Sequence, residues 1–143
     1  MAIEPVYRIA STATGGGRNG EVVSASGQID LELRAPKELG GSGDGSNPEE
    51  LFSAGYAACF LGALHATSKG AGSPVPEASS VTVTVGIGKD SADGGFGLVA
   101  DIEVYIPGVE ESKALELAQI AHAFCPYSKA TKGNIEGNLT VRV

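Results

Sequence analysis

The sequence predicts an α+β domain, and three features of its patterning carry that expectation. Two helix-length amphipathic segments are separated by strands, two of the strands alternate cleanly around a glycine-rich turn, and no regular strand–helix repeat runs through the chain. Antiparallel sheets with two main helices are therefore expected. A single domain over residues 1–143 fits this length, which is ample for one hydrophobic core and short for two.

The elements follow in order. "EPVYRIASTAT" and "GEVVSAS" lean toward β-structure and flank "GGGRNG", where Asn19-Gly20 can supply the positive φ angles of a tight hairpin turn. Arg18 then sits at or beside that turn. "QIDLEL" reads as a third short strand, and "APKELGGSGDGS" as a flexible surface connector. Asn47 or Ser46 is the expected N-cap of the first helix, Pro48 suits its first position, and Glu50 falls three after Asn47 as in a capping box. Leu51, Phe52, Tyr56, Cys59, Phe60, Ala63 and Leu64 give that helix a broad apolar face, while Gly55 and Gly62 leave room for close approach.

"GAGSPVPEAS" ends the helix, and "SVTVTVGIG", "DSADGG" and "FGLVADIEVYI" form strand, turn and antiparallel partner. "PGVEESKALELAQIAHAFC" is the second amphipathic helix, acidic in its first turn and ended by Cys125-Pro126. "NIEGNLTVRV" is the last strand.

Composition narrows the function classes. A formal net charge of -7 with no Lys/Arg-rich block opposes binding to a phosphate backbone, so nucleic acid is not an expected partner. No long apolar run suggests a membrane span, and "MAIEPVYRIA" has neither the charged leader nor the apolar core of a signal peptide, so a cytoplasmic location is expected. The two cysteines, Cys59 and Cys125, are too few for a disulfide scaffold and have no C-x-x-C spacing. In a reducing compartment a disulfide between them is transient chemistry.

A lone cysteine reads first as a small buried hydrophobe. Each of these, however, lies on a helix with a core-facing stripe and no other thiol competes as partner, which brings a reactive pair into view. Pairing requires their Cα atoms to approach to roughly 5.5 Å, which spacing cannot settle. A reactive thiol also needs its anion stabilised, because a free cysteine with a pKa of about 8.5 is mostly protonated near neutrality. Arg18, in a glycine-rich bend, is a candidate for that task as well as an exposed hairpin charge. Glu49, in the first turn of the helix, favours the helix dipole or orients an arginine.

Glu49 and Cys59 are ten residues apart, about 15 Å along an unbroken helix. For both to serve one site, the helix must bend or restart near Gly55, or two subunits must contribute. His65 lies off the face of Cys59, whereas His122 can face Cys125 or sit near the last carbonyls of its helix. Two histidines and two cysteines without ligand spacing make no zinc site. "GGGRNG" lacks the Gly-Lys-Ser/Thr of a phosphate loop.

Taken together, "GGRNG", "ELGGSGDGSNPEELFSAGYAACFLGAL", "VGIG", "GGFGL" and "AHAFCPYSKATKGNI" resemble, in order and over nearly the whole chain, the organic hydroperoxide resistance branch of the OsmC-like superfamily. The resemblance implies an OsmC-like α+β fold in an intertwined homodimer and a thiol peroxidase activity. It places the peroxidatic cysteine at Cys59, the resolving cysteine at Cys125, the catalytic arginine at Arg18 and its glutamate at Glu49. It further implies no bound cofactor, an organic hydroperoxide as substrate, and re-reduction by dihydrolipoyl groups on a lipoylated protein. Glu50 stands where many relatives have glutamine, and both residues serve a capping box.

Substrate class has a separate argument. Leu51, Phe52, Tyr56, Phe60 and Phe124 are candidates for an apolar wall near the thiols, which would favour a bulky alkyl chain by about 0.8 kcal/mol per buried methylene. Hydrogen peroxide has no such chain. Two other readings are open: an OsmC-type peroxidase of different specificity, against which "GGRNG" and "CPYSKATKGNI" count, and a non-enzymatic thiol redox sensor, for which the chain offers no DNA-binding helix pair or basic patch.

Overall fold

A computed structural model describes residues 2–143. The backbone forms two compact units, Met1–Leu51 and Phe52–Val143.

The first unit is a small antiparallel sheet and the loop that leads out of it. Strands β1 (Ser11–Gly15), β2 (Gly20–Ser24) and β3 (Asp30–Glu32) pair in that order, with Thr14 opposite Glu21 and Val22 opposite Leu31. The expected strand "EPVYRIASTAT" is thus confined to its last residues. It stops where its partner stops, because β2 turns away at Ser24, whose hydroxyl accepts the Ile29 N–H at 3.0 Å. Upstream, Ile3, Val6, Tyr7 and Ile9 are exposed.

The β1–β2 turn also differs from the expectation. Its positive φ angles belong to Gly15 (69°) and Gly17 (68°), not to Asn19-Gly20. Gly20 is required for another reason, since a Cβ there would run into the carbonyl oxygen of Thr14. Asn19 instead ties the turn down, its Oδ1 accepting the Ala35 N–H at 3.2 Å.

The segment after β3, read as a flexible connector, is a loop closed by its own backbone. It holds a single 3-10 turn at Lys37–Leu39, and the Gly43 N–H donates to the Ala35 carbonyl at 3.0 Å and the Arg34 N–H to Ser46 at 2.9 Å. Its groups are answered internally, which is why so glycine-rich a stretch keeps one path. The loop delivers Asn47, whose Oδ1 accepts the Glu50 N–H at 2.8 Å and caps helix α1 (Pro48–Gly70) as the sequence predicts. The helix runs without a break through Gly55 and Gly62.

In the second unit, β4 (Ser80–Lys89) and β5 (Phe96–Tyr105) pair antiparallel over ten residues, Ser80 opposite Tyr105 and Lys89 opposite Phe96. Helix α2 (Glu111–Phe124) follows, and a short helix α3 (Pro126–Thr131) that the sequence reading did not separate. The last strand, β6 (Leu139–Arg142), lies beside β5 and parallel to it, a departure from the expected antiparallel arrangement. The two helices between β5 and β6 supply the crossover that a parallel pair needs.

The core of this unit lies between the sheet and the helices. Phe60 and Leu64 of α1, Ile102 and Val104 of β5, and Ala114, Leu117 and Ala118 of α2 are all buried. Burial of a phenylalanine or leucine side chain contributes about 1.5–3 kcal/mol each. Small residues on α2 let it approach the sheet closely. Among the described residues no helix is long and apolar enough to cross a membrane.

Candidate functional site

Arg18 and Glu49 form a two-pronged ion pair within the first unit. The turn that follows β1 presents the arginine, the first turn of α1 presents the carboxylate, and Nη1 and Nη2 donate to Oε2 and Oε1 at 2.8 and 2.7 Å. The arginine hydrogen bond holds the Glu49 carboxyl below the usual carboxylate range against the opposing effect of burial, and the same bond raises Arg18. The arginine side chain is 42% exposed and the glutamate 12%. A pair so close to solvent adds only about 0.2–1 kcal/mol to stability, so its value lies in geometry. Two of the five guanidinium N–H groups are occupied, and the fork holds the remainder in a fixed direction.

Cys59 and Cys125 meet in the second unit. Both are free thiols, and Cys125 Sγ lies 3.7 Å from Cys59 Sγ. Cys59 sits on α1, one turn beyond Gly55 and Tyr56, and is partly buried. Cys125 is fully buried and is the single residue joining α2 to α3, with φ −60° and ψ 125°. The extended ψ at that corner swings its side chain out of the α2 spiral.

Burial pushes the Cys59 thiol above its ordinary range, the backbone N–H of Tyr127 pulls it back, and the hydrogen bond and charge of Cys125 push it up again. The surroundings of the second unit therefore hold Cys59 as a thiol. They supply one amide donor to an anion and no cation.

Three aromatic rings stand on the same side of α1. Phe52 meets Tyr56 edge-on at 6.0 Å and Tyr127 edge-on at 6.3 Å, and Tyr56 and Tyr127 are tilted to one another at 5.8 Å. Gly55 makes room for Tyr127, since a Cβ at that position would lie 3.1 Å from the tyrosine hydroxyl. Tyr127 keeps 41% of its surface exposed.

Of the pocket candidates, Phe52 is partly buried against the core, Tyr56 and Phe60 are fully buried, and Phe124 is 61% exposed on the last turn of α2. Phe60 stacks near His122, ring centroids 6.1 Å apart. Tyr127 was missed by the sequence reading, and its position two residues after Cys125 was the available signal. His65 and Cys59 remain on different faces of α1, and His122 bonds not to a helix carbonyl but to Ser128, Nδ1 to Oγ at 2.8 Å.

A cavity of about 700 Å³ opens beside β5, lined by Tyr56, Asp101, His122, Ser128 and Lys132 among others, and neither cysteine lines it. Among the described residues no group of three or more His, Cys, Asp or Glu is placed to hold a metal ion.

Known proteins share this chain's features. Residues 41–140 match the family described as OsmC-like protein. The chain is 45% identical over 137 residues to the organic hydroperoxide resistance protein of Xanthomonas axonopodis pv. citri (strain 306), a match covering 95% of this chain and 94% of that protein. It is 39% identical over 133 residues to the organic hydroperoxide resistance protein OhrB of Bacillus subtilis (strain 168), covering 93% and 96%.

Solved structures agree. An organic hydroperoxide resistance protein from Legionella pneumophila superposes with a TM-score of 0.91 at 38% identity, covering 98% of this chain and 100% of that one. One from Elizabethkingia anophelis gives 0.89 at 49% identity, covering 97% and 98%.

Proposed function

Because the chain belongs to the organic hydroperoxide resistance branch of the OsmC-like family, we propose that it is a thiol peroxidase reducing organic hydroperoxides to alcohols. The observation that supports this reading most directly is the pair of free thiols 3.7 Å apart, one partly buried on α1 and one at a helix corner.

The Cys59 thiolate attacks an oxygen of ROOH. The O–O bond breaks, the alcohol leaves with a proton, and Cys59 becomes a sulfenic acid. Cys125 then displaces the sulfenic oxygen as water and closes the Cys59–Cys125 disulfide. Dihydrolipoyl groups on a lipoylated protein return both sulfurs to thiols and complete a two-electron cycle. The apolar rings of Phe52, partly buried, and Tyr127, partly exposed, favour an alkyl or fatty-acid chain over hydrogen peroxide.

Burial works against the attacking thiolate, so a cation is required. Arg18, oriented by Glu49, supplies it. An unbroken α1 separates Glu49 from Cys59 by about 15 Å along its axis. The arrangement that unites them is a homodimer in which the Arg18–Glu49 pair of one subunit serves the thiols of the other. The exposed apolar residues Ile3, Val6, Tyr7 and Ile9 give the N-terminal segment a surface suited to such an exchange.

The activity is tested by following consumption of cumene hydroperoxide and of hydrogen peroxide with dihydrolipoamide as reductant. Rapid turnover of the organic peroxide, lost in Cys59→Ser, is expected; equal rates for both oxidants would sink the reading. Sharing of the site is tested with mixed dimers of Cys59→Ser and Arg18→Ala chains. Activity returns if the residues come from two subunits and stays absent if they come from one.

A further inference from the structure

Ser128 lies three residues after Cys125 and His122 three residues before it, so the 2.8 Å bond between them closes the α2–α3 corner on either side of the cysteine. The same hydroxyl meets Tyr56 of α1 at 2.9 Å, and Tyr56 in turn meets Thr131 Oγ1 at 3.3 Å. Thr131 Oγ1 also donates to the Ser128 carbonyl at 3.0 Å. Ser128, Tyr56 and Thr131 are buried, at 3%, 1% and 8% exposure, whereas His122 is exposed at the outer end of the chain of bonds.

Proton accounting fixes the direction of every bond. Thr131 spends its hydroxyl proton on the Ser128 carbonyl, so Tyr56 must donate to Thr131. Ser128 must then donate to Tyr56, and His122 must donate from Nδ1 to Ser128. No other assignment makes all four bonds at once. The imidazole carries its proton on Nδ1, a donor it keeps in both charge states. The network thus links α1, α2 and α3 around Cys125 without touching either sulfur.

We propose that Ser128, clasped by His122 and Tyr56, is a positioning residue that holds the α2–α3 corner so that Cys125 stays within reach of Cys59 for disulfide closure. This rests on the peroxidase reading given above. In that step the Cys125 sulfur bonds to the Cys59 sulfur, the S–O bond of the sulfenic acid breaks, and the oxygen leaves as water with the Cys125 proton. The electrons withdrawn from the two thiols have already reduced the hydroperoxide to alcohol. Closure shortens the sulfur separation from 3.7 Å to about 2.05 Å, a movement a fixed corner directs and a loose one dilutes.

The test uses full-length protein and three variants. Ser128→Ala removes the hub, His122→Ala removes a donor from an exposed residue, and His122→Asn places an amide N–H where Nδ1 stood. Reduced protein is mixed with one equivalent of cumene hydroperoxide, and sulfenic acid formation is followed separately from disulfide closure. Both alanine variants should form the sulfenic acid within about threefold of the parent rate and close the disulfide about tenfold more slowly, with His122→Asn recovering closure. Unchanged closure overturns the proposal, and so does equal slowing of both steps, which would mark general loosening.

A second measurement does without peroxide. In glutathione redox buffers the effective concentration of the Cys59–Cys125 pair should fall about tenfold in His122→Ala. No change there overturns the clasp, whatever the hydroperoxide assay shows. Failure of the parent itself to react with hydroperoxide would overturn the peroxidase reading instead.

Discussion

The Cys125 sulfur lies 3.7 Å from the Cys59 sulfur, near van der Waals contact and short of a bond. One equivalent of organic hydroperoxide should therefore convert the pair to an intrachain disulfide without large rearrangement. Cys125→Ser should still consume one equivalent and then stall with an oxidised Cys59, seen by mass spectrometry as a trapped sulfenic acid. A Cys125→Ser protein that turns over at the parent rate with dihydrolipoamide would remove Cys125 from the cycle.

Arg18→Lys keeps the charge and loses the planar fork that grips Glu49 through both Nη atoms. Peroxidase kcat/KM should fall about ten- to a hundredfold, the range expected for charge-assisted hydrogen bonds lost on the reaction path. Arg18→Ala should in addition raise the Cys59 pKa measured by alkylation rate against pH. The depressed Glu49 pKa sets the acid limit of the clamp. Its contribution is complete above the ordinary carboxylate pKa of about 4.3 and disappears as pH falls through the lower folded value. An NMR titration of Glu49 that midpoints at the ordinary value would contradict the pairing.

His122 yields a stability prediction of its own. Burial, and secondarily the charge of Lys132, hold its folded pKa below the ordinary value. The folded protein consequently binds fewer protons than the unfolded chain as pH falls through about 6.5. Stability should decline across that interval, the loss levelling off once pH is below the folded pKa. In urea titrations at several pH values, His122→Gln should show a flatter dependence, and an identical slope would count against the assignment.

Phe60 and Tyr127 separate core from wall. Phe60→Ala should cost about 3–5 kcal/mol of stability, since the ring is fully buried, and should leave the preference for bulky hydroperoxides unchanged. Tyr127→Ala, at a position 41% exposed, should cost far less stability and should reduce the kcat/KM ratio of cumene hydroperoxide to hydrogen peroxide. The reverse pattern, in thermal melts and paired kinetics, would exchange the two roles.

Much of this was legible in the sequence because it rests on local rules. Asn47, Pro48 and Glu50 announce the start of α1, and the alternation of "SVTVTV" announces β4. The missed features depend on partners distant in the chain. Residues 4–10 read as strand, yet β2 ends at Ser24, and the Ala25 N–H to the Ala10 carbonyl is the last bond of that pairing. Asn19 has the turn chemistry expected of it, but Ala35 engages its side chain while glycines at 15 and 17 take the positive φ angles.

The site divides in the same way. Cys59 and Cys125 stand out by scarcity, whereas Ser128 is one hydroxyl among many until three helices converge on it. Tyr127 belongs to the site through a backbone N–H and a gap left by Gly55, neither of which a sequence displays.

The low acidity that burial imposes on Cys59 has a consequence for the newly made chain. In a single chain, with no second copy beside it, burial favours the protonated form of that sulfur. If Arg18 arrives from that second copy, reactivity is switched on by assembly. Stray oxidation and alkylation are then discouraged until two chains have joined, and dilution to single chains should silence the thiols.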